Sequence, residues 1–131
     1  MADLILVVDD EADVRELLRT ILAQCGARVT VAASVREALE TLAQATFDVL
    51  VSDVRMPEED GYALLRKVRA LDAERGGRIP ALALTAYSRI EDREAALSAG
   101  YQQHAAKPIE PAELAAAVAT LAGRADQKRG D

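Results

Sequence analysis

The feature that most constrains this chain is a fivefold alternation of short apolar runs with longer amphipathic ones. Leu4–Val8, Val29–Ala32, Val49–Ser52 and Ala81–Leu84 read as strands, and Gln102–Ala106 as a weaker fifth. Between and after them lie helical patterns. Val14, Leu17, Leu18, Ile21, Leu22 and Cys25 recur at the spacing of one helix face, which Gly26 ends. Ser34-x-x-Glu37 forms a capping box ahead of Val35, Ala38, Leu39 and Leu42, and Ser88-x-x-Glu91 a second one. Asp60 or Gly61 opens a helix with Leu64, Leu65, Val68 and Leu71 inward. The helix after Ser88 ends near Gly100, and Pro111 starts the last one. Strand–helix units repeated in this way predict a doubly wound α/β fold, with a parallel sheet covered by helices on both faces.

Composition narrows the class. The chain has 131 residues and half of them are apolar, enough for one domain with a real core and too apolar for disorder. Residues 1–122 form that domain, and Gly123–Asp131 reads as a flexible tail. No apolar run approaches the roughly 20 residues needed to span a bilayer, and no signal peptide is evident, so no membrane role is expected. A single cysteine, Cys25, fits a reducing cytoplasm and is placed in the core. A net charge of −6, no Trp and 3% aromatics argue against nucleic acid as a partner. The acidic excess suits a cation.

Right-handed crossovers bring every strand's C-terminal end to the same edge, where such sheets bind ligands. Asp9 and Asp10 follow the first strand, Asp53 the third, Thr85 the fourth and Lys107 the fifth. Three carboxylates and one ammonium leave a charge of −2, which a half-buried site sustains only beside a divalent cation. An all-oxygen set with room for water suits Mg²⁺, with Mn²⁺ possible, and the single His and Cys argue against zinc. A metal, a lysine, a hydroxyl and a carboxylate nucleophile are also the equipment for phosphoryl transfer.

Four motifs in order, VVDDE at 7–11, VSDVRMPEEDG at 51–61, LTAY at 84–87 and AAKPIEP at 105–111, resemble those of the receiver domain of two-component response regulators, over about residues 3–122. The resemblance implies a flavodoxin-like five-stranded sheet of order 2-1-3-4-5 with five helices. It implies that Asp53 accepts a phosphoryl group from a sensor histidine kinase or a histidine phosphotransfer protein. Asp10, Asp53 and the backbone carbonyl of Arg55 would bind Mg²⁺, and Asp9 would act through a water. Lys107 would pair with Asp53 and then with the phosphoryl group, and Thr85 would move inward to it. Lys107–Pro108 matches a peptide bond that is usually cis in the family.

His104 stands where receivers commonly carry a Tyr or Phe that turns inward as the threonine moves; the alternative is a surface histidine. Arg55 and Tyr87 flank the phosphoryl position and would tune its lifetime, Tyr87 as a shield against water and Arg55 by pairing or by facing solvent. Gly61 is read as a point of backbone freedom, and Tyr62 and Tyr101 as packing residues. The segment GYQQHAAKPIEPAELAAAV resembles receivers of hybrid histidine kinases, so the sequence is either a stand-alone receiver or one cut from a longer chain. Such a domain catalyses its own phosphorylation and dephosphorylation without being a conventional turnover enzyme. The output partner is open. The state expected is a monomer or a weak phosphorylation-dependent dimer through the fourth helix, fifth strand and fifth helix. Two other readings are an aspartyl phosphatase dependent on Mg²⁺ and an interaction module without phosphorylation. The first fits poorly: phosphatases of that kind place a general acid two residues after a nucleophile on the first strand, whereas here the residue two after Asp9 is Glu11 and the residue two after Asp53 is Arg55. The second would be supported by loss of Asp53, Lys107 or the acid pair, and all are present.

Overall fold

In a computed structural model that describes residues 3–86 and 89–129, the alternation becomes five parallel strands in the order β2-β1-β3-β4-β5. The strands are β1 (Leu4–Val8), β2 (Arg28–Ala32), β3 (Val49–Asp53), β4 (Ala81–Thr85) and β5 (Gln103–Ala106). The helices are α1 (Ala12–Gln24), α2 (Val35–Gln44), α3 (Gly61–Arg69), α4 (Ile90–Ala99) and α5 (Pro111–Arg129). A short 3₁₀ turn at Ala73–Arg75 was not anticipated from the pattern.

The sheet separates two cores, because successive side chains of each strand point to opposite faces. Ile5, Val7, Val49, Val51, Leu82 and Leu84 meet Leu18, Leu22, Leu114 and Leu121 of α1 and α5. Leu6, Val8, Leu50, Ala81 and Ala83 meet Ala38, Leu42, Leu64, Val68 and Ala96 of α2, α3 and α4. β1, β3 and β4 are therefore covered on both sides and apolar up to their carboxyl ends, where Ser52, Asp53 and Thr85 stand. β2, at one edge, is half open to solvent, and its Val31 is exposed.

Helix boundaries follow local chemistry. The Ser34 hydroxyl accepts from the Glu37 N–H, and the Asp60 carboxylate accepts from the Ala63 N–H, so Asp60 is the cap and Gly61 the first helical residue. Gly26, at φ +90°, turns the chain out of α1 in a conformation that L side chains resist. Ser88 lies outside the described residues; at the start of α4 the Asp92 carboxylate accepts from the Arg89 N–H. α5 continues past Gly123 to Arg129, beyond the boundary read from the sequence. One glycine weakens a helix by about 1 kcal/mol without having to end it.

Two placements on the α1 stripe are corrected. Cys25 is exposed, and Leu17 is 58% exposed. Cys25 is the residue after the last helical one, so the helical period no longer sets its direction. Leu17 falls beside a narrower buried stripe formed by Leu18, Ile21 and Leu22.

Candidate functional site

The carboxyl ends of β1, β3, β4 and β5 bring Asp9, Asp53, Thr85 and Lys107 to one edge, although Asp9 and Lys107 are 98 residues apart. Asp9, Asp10 and Asp53 each offer a carboxylate oxygen, and these atoms lie within 4.8 Å of one another. Asp9 is fully buried, Asp53 and Thr85 are buried, and Asp10 is exposed. The set is all oxygen and open on the Asp10 side, so it can hold a hard cation.

Asp9 is already well occupied. One of its carboxylate oxygens accepts the Glu11 N–H at 2.9 Å and the other accepts from Lys107 Nζ at 2.9 Å. Lys107 Nζ is also 3.2 Å from Asp53 Oδ1. The sequence reading paired Lys107 with Asp53; the structure shows the ammonium bridging both acids. The Arg15 guanidinium, one turn into α1, donates to the Asp9 carbonyl at 2.8 Å, a contact that no motif announced.

Electrostatics follow from that geometry. Burial is the largest influence on Asp53 and raises its carboxyl above the ordinary carboxylate range. The Asp9 charge adds to the rise, while the Lys107 charge, its hydrogen bond and one from the Arg55 backbone oppose it. Burial pulls the Lys107 ammonium the other way, but the bond to Asp9 and the charges of Asp53 and Asp9 outweigh it, so its pKa is raised and its charge is held.

The loop from Val54 to Asp60 leads from Asp53 into α3. The Glu59 N–H donates to the Pro57 carbonyl at 2.8 Å, and Glu58 between them sits at φ +69°, a conformation uncommon for a residue with a side chain. Arg55 is exposed in this loop and lines, with Tyr62, Asp60, Thr85 and Asp92, a recess of ≈ 200 Å³ next to the acids. Tyr87 lies outside the described residues. The Lys107–Pro108 bond is cis. His104, in β5 beside Ala83, is only partly buried as a residue. Its Nε2 is shielded from water and has no hydrogen-bond partner among the described residues.

Gly61 has a different reason from the one expected. Its φ is not positive; instead, a Cβ there would come within 2.4 Å of the Asp53 carbonyl oxygen and 3.0 Å of the Tyr101 hydroxyl. The glycine permits close approach. The two tyrosines do more than pack. Tyr101 donates to the Gly61 carbonyl at 2.7 Å, and the Tyr62 hydroxyl reaches the Asp92 carbonyl at 3.4 Å.

A parallel sheet of this order, with acids and a lysine at its carboxyl edge, is a doubly wound α/β domain of flavodoxin-like topology, and comparison with known families narrows the class. Residues 5–119 match the response regulator receiver domain, and the chain belongs to that family. It is 52% identical over 110 residues to an uncharacterized 14.6 kDa protein of Leptolyngbya boryana from the sodA1 3′ region, covering 84% of this chain and 82% of that one. It is 40% identical over 106 residues to the transcriptional regulatory protein ZraR of Escherichia coli K12, covering 81% of this chain but 23% of the regulator. Among solved structures, the receiver domain of the sensor histidine kinase PA1611 from Pseudomonas aeruginosa PAO1 superposes with a TM-score of 0.84 at 34% identity. That match covers 94% of this chain and 99% of the other, whose active-site cleft coordinates a magnesium ion. The chain is thus a response regulator receiver domain of two-component signalling. Among the described residues, no helix is long and apolar enough to cross a membrane.

Proposed function

We propose that Asp53 is a phosphoacceptor, taking a phosphoryl group from a phosphohistidine on a sensor histidine kinase or a phosphotransfer protein. The observation that carries this is the convergence of Asp9, Asp10 and Asp53 within 4.8 Å around a single ammonium, Lys107. An Asp53 carboxylate oxygen attacks phosphorus, the phosphorus–nitrogen bond of the donor breaks, and the imidazole leaves with the electron pair. Asp10, exposed, and Asp53, with the Arg55 carbonyl, are the residues that would hold Mg²⁺ or, less commonly, Mn²⁺. Asp9 has accepted two hydrogen bonds already and is suited to acting through water. The cation would supply positive charge against which the acceptor and the phosphoryl oxygens can approach. Lys107 stays within reach of both acids and can follow the phosphoryl group, while the Thr85 hydroxyl supplies a neutral donor.

The phosphoryl group is read elsewhere on the molecule. Thr85 turning toward it vacates space at β4, and the His104 ring, with an unsatisfied buried nitrogen, has reason to move. The face of α4, β5 and α5 then changes for an output partner or for a second copy of the chain. In this reading Arg55 and Tyr87 tune the lifetime of the phosphoryl group.

The test is direct. With Mg²⁺ and acetyl phosphate or phosphoramidate, intact-protein mass spectrometry should show one base-labile phosphoryl adduct on the wild type and none on Asp53→Asn. Equal labelling of the two would overturn the assignment.

A further inference from the structure

Two buried hydroxyls lie beneath the end of β3 and take no part in the acid cluster. Ser52 is fully buried; its Oγ donates to the Asp53 carbonyl at 2.9 Å and also reaches the Tyr101 hydroxyl. Tyr101, in the turn from α4 into β5, is 2% exposed and donates to the Gly61 carbonyl at 2.7 Å. The Gly61 N–H in turn donates to the Val54 carbonyl at 2.7 Å, which closes the neck of the loop between β3 and α3. The Arg55 backbone in that loop hydrogen-bonds the Asp53 carboxylate. The space around Gly61 would admit no Cβ, so the Asp53 carbonyl, Gly61 and the Tyr101 hydroxyl are packed to contact distance.

A ring alone would fill this part of the core, since Tyr101 packs within the cluster formed by α2, α3 and α4. The hydroxyl is what reaches the loop. The geometry points to Tyr101 as a positioning residue of the phosphorylation site: with Ser52 it fixes the main chain at Gly61 and Asp53, and so sets the spacing of the Asp53 carboxylate and the Arg55 main chain. This rests on Asp53 being the phosphoacceptor. The same hydrogen bond joins the loop that carries the site to the turn that enters β5, so it reports on both.

Tyr101→Phe keeps the ring and removes only the bond. Val68→Ala, in the same core cluster but away from the site, serves as a matched destabilisation. Two quantities are measured on each protein: the Mg²⁺ dissociation constant from amide shifts of residues 9–10 and 53–55, and the initial rate of Asp53 labelling by phosphoramidate. Removing a group that orients a metal-binding shell typically costs about tenfold or more. Tyr101→Phe should therefore lose about tenfold in affinity, rate or both, while remaining folded. Val68→Ala should stay within about twofold of wild type, as expected for a distant independent site. The inference is overturned if Tyr101→Phe stays within about twofold on both measures, or if Val68→Ala loses as much. If the wild type itself takes no label, the phosphoacceptor reading fails and this inference with it; a labelled wild type matched by Tyr101→Phe removes this inference alone.

Discussion

Replacing Lys107 with methionine removes the one ammonium between two buried acids while roughly keeping its volume. At an effective dielectric of about 20, contacts of 2.9 Å to Asp9 and 3.2 Å to Asp53 are worth roughly 6 and 5 kcal/mol in gross Coulomb energy. Much of that is returned, because the ammonium, 22% exposed, no longer has to be desolvated. Removing one partner of a buried pair leaves a net loss of about 3–5 kcal/mol. Protonation sets a ceiling. Asp53 escapes by taking up a proton, and holding an acid with an ordinary pKa of 3.8 neutral at pH 7 costs about 4 kcal/mol. Metal-free Lys107→Met should therefore be about 3–4 kcal/mol less stable at pH 7, a fall in Tm of about 10–15 °C for a domain of this size. The pH dependence has a definite sign. An acid whose pKa is raised in the folded state contributes stability that is present below its unfolded pKa and lost as pH rises through the folded value. The gap from wild type should thus narrow as pH falls from 7 toward the ordinary carboxylate range, by up to about 1.4 kcal/mol per unit. Saturating Mg²⁺ should stabilise the variant more than the wild type, since it replaces the missing charge. Thermal melts with chelator and with Mg²⁺, at several pH values, provide the measurement. A gap that is flat in pH, together with equal gains from Mg²⁺, would refute the compensation assigned to Lys107.

Three further outcomes are expected. Asp10→Asn should weaken Mg²⁺ by about tenfold in a calorimetric titration, through loss of one anionic ligand, while leaving the metal-free protein at least as stable as wild type, because it removes a like charge within 4.8 Å of Asp9 and Asp53. Gly61→Ala should cost about 2 kcal/mol or more in denaturant melts despite the better helix propensity of alanine, because its Cβ would meet the Asp53 carbonyl at 2.4 Å; a neutral result would show that the loop yields freely. Thr85→Ala should still take phosphoryl on Asp53, but with beryllofluoride its amide shifts should stay near Asp53, whereas wild type shifts across residues 86–118. If both spread alike, Thr85 does not couple the site to that face.

The sequence by itself carried the strand–helix alternation, the sheet order implied by the family's motifs and the meeting of Asp9, Asp10, Asp53, Thr85 and Lys107 at one edge. These were legible because side-chain period is a local property and parallel crossovers leave little freedom in where strand ends go. Local reasoning failed where an element stops. Cys25 obeys the spacing of α1 but stands just beyond it, and its exposure follows from the cap and not from the period. Only the tertiary structure decided that Lys107 bridges Asp9 as well as Asp53, that Arg15 caps the Asp9 carbonyl, and that Gly61 is small for the sake of the Asp53 carbonyl and Tyr101. The Tyr101 contact joins residues 40 apart, and the Lys107 contact residues 98 apart. A hydroxyl or an ammonium can reach such a partner only after sheet twist, helix packing and loop path have all been fixed. Distances of a few tenths of an ångström at those atoms are therefore set by the whole fold.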